Sequence, residues 1–267
     1  MTDADLDSRL ELAKTISVAA GLLTLKYFQT DRFQVIRKQD GSPLTIADQE
    51  SETLLRAEIK NAFPNDAIVG EEFGTTPGTS GFCWVLDPID GTKSFISGVP
   101  LFGTMVGVLR DQKDARRSVI GAVYFPGLAE GIYAAVGRGA WHFRGSESPV
   151  RAQVSKTNQL ADSVFVNSAV ETFMERGVGE AYQRLAQQVY FARTWGDVYG
   201  YLLVATGRVE IMIDPILNIW DAAAVQPIIE EAGGRFTDWK GKSNIDAGEA
   251  VGSNGLVHDD VLKILNS

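Results

Sequence analysis

At 267 residues the chain is long enough for one large domain or two modest ones with sizeable cores. Its hydrophobic share of 45% and charged share of 22% are those of a soluble globular protein, and a net charge of -9 argues against nucleic acid as a main partner, because phosphate backbones are held by clustered Lys and Arg. No segment reaches bilayer-spanning length, the acidic start MTDADLDSRLELAK is no secretory signal, and the single cysteine, Cys83, fits a reducing cytoplasm, so a cytoplasmic protein without a membrane partner is expected.

Leu6, Leu10, Ala13, Ile16, Ala20 and Leu23 recur at three- and four-residue steps and predict a long amphipathic first helix. FQVIRK predicts a short strand and QDGSP a turn. A second amphipathic helix runs from about Ile46 to Phe63, closed by Pro64 and Asn65. AIVG at 67–70 and FCWVLD at 82–87 read as strands with acids at their carboxyl ends, joined by the loop FGTTPGTSG. LFGTMVGVLRD, SVIGAVYFP and EGIYAAVG are strand runs separated by polar or Gly/Pro turns, a pattern of antiparallel pairing.

Near residue 150 the character changes. Strands and helices alternate through VFVNS, a helical 170–188, VYFAR, a helical 196–206, RVEIMI, a helix from about Asn218 to Ala232, and EAVGS. That alternation predicts a mixed sheet flanked by helices. The expected organisation is an α+β N-terminal subdomain over 1–150 and an α/β C-terminal subdomain over 151–267.

Several chemistries lack material. The two histidines, His142 and His258, sit in no motif, which leaves little for a Ser-His-Asp triad or a His-ligated zinc. Six positions after Cys83 stands Ile89, where a cysteine phosphatase loop needs Arg. GRGAWH ends in His142 where a dinucleotide fingerprint needs glycine, and GKS at 241–243 has Phe236 where a P-loop needs glycine. Carboxylate and metal chemistry remain.

Asp87 and Asp90 flank Pro88 and Ile89 at the end of an apolar run. Pro88 helps turn the chain out of the strand, so both carboxylates and the Ile89 carbonyl can reach one point. Hard oxygen ligands of that kind suit Mg²⁺. Gly91 allows close backbone approach, and the N–H groups of Gly91 and Thr92 open a helical turn that suits an anion. Metal ligands beside an anion-binding turn imply a small phosphorylated substrate. Glu71 ends the previous strand and offers a third acid, whereas Glu72 points the other way along an extended chain. Asp221 opens a helix whose face is otherwise Ala, Val and Ile.

GEEF, WVLDPIDGTKSF and IWDAAAVQPIIEEAGG resemble the signature motifs of the inositol monophosphatase family of Mg²⁺-dependent, lithium-sensitive phosphatases, with TIADQ also in order. The D-x-x-D spacing separates them from the halogenated-acid type of phosphatase, which uses D-x-D. The resemblance implies a layered αβαβα sandwich of the sugar-phosphatase type and a homodimer. It implies two or three Mg²⁺ held by Glu71, Asp87, the Ile89 carbonyl, Asp90 and Asp221. It further implies a water held by Glu71 and Thr92, with Asp48 paired to the Thr92 hydroxyl and Lys38 adding positive charge nearby.

For the substrate, Trp195, Asp197 and Tyr199 depart from the inositol-preferring branch and resemble the histidinol-phosphate phosphatase branch, as does Lys93. A substrate with an ammonium group and an imidazole suits acids and an aromatic face. The resemblance places Asp214 and Asp197 at the non-phosphate end, with Ser168, Trp195 and Gly196 lining the same pocket. A substrate such as inositol 1-phosphate or another sugar phosphate is the alternative, and a silent metal- or phosphate-binding regulator is the reading outside enzymes.

Overall fold

Three- and four-residue spacing puts Leu6, Leu10, Ala13, Ile16 and Ala20 on one face of helix α1 (Asp3–Thr24), and all five are buried. The computed structural model describes residues 3–30, 36–37, 43–112 and 115–267, so Lys38 and most of the FQVIRK and QDGSP stretches lie outside the described residues. β1 (Ile36–Arg37) and β2 (Pro43–Leu44) pair antiparallel. Thr45 caps α2 (Ile46–Ala62), and Asp48 at its third position closes a capping box.

The chain continues through β3 (Ala67–Gly70), β4 (Gly74–Thr76), β5 (Phe82–Asp90), the short α3 (Thr92–Ile96), β6 (Gly103–Gln112), β7 (Ala115–Phe125), β8 (Glu130–Ala135), β9 (Gly139–Arg144) and β10 (Val150–Arg151). β3 to β10 form one eight-stranded sheet, order β10-β9-β8-β7-β6-β5-β3-β4, antiparallel except for the parallel β3–β5 pair. Next come β11 (Val164–Asn167), α4 (Val170–Glu175), α5 (Gly179–Gln188), β12 (Phe191–Arg193), α6 (Asp197–Ala205), β13 (Ile211–Asp214), α7 (Ile219–Ala223), α8 (Val225–Glu231), β14 (Arg235–Thr237), β15 (Ala250–Ser253) and α9 (His258–Leu265). The second sheet, order β12-β11-β13-β15-β14, is mixed: β11 runs parallel to β12 and β13, while β15 runs antiparallel to β13 and β14.

α1 and α2 cover one face of the large sheet, and α6 to α8 fill the space between the sheets. α4, α5 and α9 cover the outer face of the small sheet around Phe165, Phe173, Leu185 and Val261. The layers are α, β, α, β, α. One apolar core joins the sheets, with Val85 and Met105 of the first in the same cluster as Met212 and Phe236 of the second, and Tyr201 and Ile228 from the helices between. No helix among the described residues is long and apolar enough to cross a membrane.

Three local details differ from the sequence expectation. The helical 170–188 is two helices, because Gly177 takes φ +77° between α4 and α5. The helix expected over 218–232 is also two. Pro227 has no N–H to give the Ala223 carbonyl, and Ser118 Oγ on β7 donates there instead. Ala223 and Ala224 thereby rest on Gly107 and Gly121, where a Cβ on either glycine would crowd them. Lastly, the loop FGTTPGTSG contains β4, and β10 and β14 are short strands that the sequence pattern did not show.

Candidate active site

β5 carries the site out of the core. Val85, Leu86, Asp87 and Ile89 are buried, and the pairing with β6 skips from Asp87↔Met105 to Asp90↔Gly103. That irregularity turns the strand end: Thr104 Oγ1 donates to the Pro88 carbonyl at 2.8 Å, and Ile89 N donates to Asp87 Oδ1 at 3.0 Å. Gly91 follows at φ +82°, and the chain enters α3 as expected. Asp221 arrives from the other side, at the third position of α7, where Asn218 N donates to its Oδ2 at 2.7 Å.

Asp87, Asp90 and Asp221 each offer a carboxylate oxygen, and the three atoms lie within 4.8 Å of one another. Burial first, then the charges of Glu71, Asp90 and Asp221, push the Asp87 carboxyl well above the ordinary carboxylate range. Burial and the Asp197 and Asp221 charges do the same to Asp90. Asp221 is raised to about 7, mainly by burial. Three converging hard donors, each raised first by burial, match the oxygen ligation of a hard divalent cation such as Mg²⁺.

Glu71, just past β3, donates its backbone N–H to the Leu86 carbonyl at 3.2 Å and lines the same cavity, outside the tight trio. Asp48 is buried nearby and raised to about 6, chiefly by burial. Its expected partner differs: Asp48 Oδ2 accepts from Thr45 N at 2.8 Å and Thr45 Oγ1 at 2.6 Å, while Thr92 Oγ1 donates to the Ile89 carbonyl at 3.0 Å. As third residue of its helix, Asp48 is held by its own cap.

The opposite wall of this cavity, about 400 Å³, belongs to the second sheet. Asp214 ends β13 and accepts from Ser168 Oγ at 2.6 Å and Tyr201 OH at 3.0 Å. Burial raises it to about 7 against those two bonds. Asp197 sits at φ +51°, uncommon for a residue with a side chain, and donates its N–H to Ser168 Oγ at 2.8 Å. The next N–H, of Val198, reaches across to Asp90 Oδ1 at 2.7 Å. Burial raises Asp197 too, although Ser168 and the Lys93 charge oppose it. One hydroxyl, that of Ser168, therefore ties Asp197 and Asp214 together.

Trp195 and Gly196 are not on the cavity wall. Trp195 is 42% exposed and packs edge-on against Phe191 at 6.3 Å between ring centroids, because it leaves the edge strand β12 toward solvent. Gly196 is buried behind Ser168, where any Cβ would strike the Ser168 backbone. Thr172, Thr194, Ile216, Trp220 and the Tyr201 hydroxyl complete a wall that sequence reasoning did not assemble. Glu52 was missed as well: fully buried on α2, it accepts from Glu72 N at 2.8 Å.

Comparison with known proteins agrees with this architecture. The family model described as the inositol monophosphatase family matches residues 5–266. The chain is 36% identical over 257 residues to a histidinol-phosphatase of Streptomyces coelicolor, covering 96% of each chain. It is 40% identical over 242 residues to a histidinol-phosphatase of Chlorobaculum parvum, covering 91% of this chain and 90% of that one. A solved IMPase from Thermotoga maritima superposes with a TM-score of 0.80 at 29% identity, over 98% of this chain and 97% of its own.

Proposed function

This chain belongs to the inositol monophosphatase family, and we propose that it is a Mg²⁺-dependent phosphomonoesterase acting on L-histidinol phosphate. The observation that carries the substrate choice is the second pair of acids, Asp197 and Asp214, facing the cavity across from the Asp87, Asp90 and Asp221 trio. One acidic end suits cations that clasp a phosphate, and the other suits an ammonium group. The names of the relatives in Streptomyces and Chlorobaculum point the same way.

On this reading residues 1–150 supply Glu71, Asp87, the Ile89 carbonyl and Asp90, and residues 151–267 supply Asp221 and the substrate wall. These ligands would hold two or three Mg²⁺, which when bound would supply positive charge to the phosphoryl oxygens and lower the pKa of the attacking water. Glu71 and Thr92 would hold that water, with Asp48 placed behind them by its capping box. The N–H groups of Gly91 and Thr92 receive phosphate oxygens, and Lys93 stands beside them on the rim. Asp214 and Asp197 receive the amino end. A cytoplasmic homodimer belongs to the same proposal, supported by the family and by the lone cysteine, and light scattering on the purified protein tests the dimer.

Phosphate release from L-histidinol phosphate, myo-inositol 1-phosphate, fructose 1,6-bisphosphate and adenosine 3′,5′-bisphosphate decides the substrate. The highest kcat/KM belongs to histidinol phosphate, EDTA stops the reaction, and excess Mg²⁺ restores it. A far higher kcat/KM on inositol phosphate overturns the amino-alcohol assignment. Silence on every ester, with cation binding intact, makes the protein a regulator instead.

A further inference from the structure

Glu71 sits in the turn between β3 and β4, and a carboxylate on a turn is placed only as well as its backbone. The bond from Glu71 N to Leu86 holds the near side of that turn. The far side converges on α2. Glu52 Oε2 accepts from Glu72 N at 2.8 Å, and Glu52 Oε1 accepts from Phe73 N at 3.2 Å and from Arg56 Nε at 2.6 Å. Arg56 in turn donates to the Gly74 carbonyl and, at 3.1 Å, to Thr76 Oγ1. Gly70 leaves the room this needs, since a Cβ there would collide with the Glu52 carboxylate.

Glu52 has no exposed surface, and it adds one more buried negative charge beside a cleft already crowded with them. Burying a charge is costly unless it is paired and fully hydrogen-bonded. Here every bond Glu52 makes besides Arg56 goes to the backbone just after Glu71. Asp48, Glu52 and Arg56 follow one another at four-residue steps on α2, so a single helical face reaches both the site and the turn beside it.

We infer that Glu52, backed by Arg56, is a positioning residue that fixes the 71–74 turn and thereby sets the cation affinity of the Glu71 side of the site. The inference rests on the acid cluster being a cation site. Partners one step behind a metal ligand commonly change metal affinity by about 10- to 100-fold when removed.

The test is Mn²⁺ binding to the purified full-length protein, followed by electron paramagnetic resonance, beside the Mg²⁺ dependence of phosphate release. Glu52→Gln weakens Mn²⁺ binding about tenfold or more, raises the Mg²⁺ needed for half-maximal rate in proportion, and speeds hydrogen exchange at the Glu72 and Phe73 amides. Saturating Mg²⁺ recovers most of kcat. Arg56→Met keeps the Glu52 bonds to the backbone, shows a smaller shift in the same direction, and carries the test if Glu52→Gln does not fold. Glu58→Gln, on the exposed face of α2, leaves Mn²⁺ affinity unchanged. If the folded variants bind Mn²⁺ as tightly as the wild type, or lose thermal stability and kcat together with no shift in Mg²⁺ dependence, the positioning role is wrong. If the wild type itself binds no Mn²⁺, the cation site beneath it is wrong as well.

Discussion

Glu130 and Asp87 are almost equally withdrawn from solvent, at 3% and 2% exposure, yet their surroundings push them in opposite directions. Glu130 Oε1 lies 2.7 Å from His142 Nε2, 2.9 Å from Arg208 Nη2 and 3.1 Å from Arg144 Nη2. Burial would raise its pKa, but the His142 bond and the two guanidinium groups hold it at about 2. Asp87 is buried among Glu71, Asp90 and Asp221, and every neighbouring charge raises it further. One acid is neutralised by the chain itself. The others are not, and the proposed function leaves them to a bound cation.

The largest effect that would break this contrast is at Asp90. Asp90→Asn lowers phosphate release on the order of 10³-fold, several kcal/mol of lost cation holding, while its melting temperature in EDTA matches or exceeds that of the wild type. A variant with wild-type rates would put Asp90 on the structural side. Glu130→Ala does the reverse. Stripping the acid from His142 and two partly exposed arginines costs about 1–3 kcal/mol in urea unfolding, by the same amount with Mg²⁺ or EDTA.

Acid sharpens the comparison. His258 is fully buried between Thr237 Oγ1 at 2.9 Å and Ser253 Oγ at 2.8 Å, and burial lowers its pKa from 6.5 to about 4. Between those values the unfolded chain binds a proton that the folded one refuses, so stability falls as pH drops through that window, by ~3 kcal/mol. Glu130 extends the loss at lower pH, because its stabilising charge is present above 4.5 and disappears toward about 2. In EDTA the cleft acids pull the other way. Asp214 and Asp221, raised from 3.8 to about 7, hold protons in the folded chain that the unfolded chain releases, so they stabilise it toward pH 4 and lose that contribution toward pH 7. Urea melts against pH, with His258→Gln flattening the acid limb, check both signs.

The smallest effect lies at Asp214, on the side of the cleft that the proposed function gives to the amino end. Asp214→Ala raises KM for histidinol phosphate about tenfold, the worth of one charge-assisted hydrogen bond, and raises KM for an uncharged phosphate ester less. Equal losses on both substrates would leave Asp214 as a partner for Tyr201 and Ser168 alone.

Much of this was legible because acids set against apolar runs have few physical excuses. Asp87 and Asp90 follow an apolar run that can only be a covered strand, and Asp221 opens a helix with no other polar residue on that face. Glu52 was illegible for the opposite reason. In ESETLLR it stands among other polar residues of a helix, which ordinarily means a solvated face, and its backbone partners lie about twenty residues downstream. Tyr201, inside YGYLLVA, reads as core, and most of it is core; only its hydroxyl turns to Asp214. Trp195 misled in the other direction, because an aromatic beside site residues need not face the site when the chain is leaving an edge strand. β4, β10 and β14 have two or three residues each, too few for any period, and exist because a neighbour pairs with them.

Val85 and Met105 share their packing with Met212 and Phe236 of the other sheet, so the jaws of the cleft are parts of one solid. Dense interiors resist gradual deformation, and a clamshell motion would have to tear that shared filling apart. Thr172, Ile216 and Trp220 thus line a cleft whose two sides have no hinge between them.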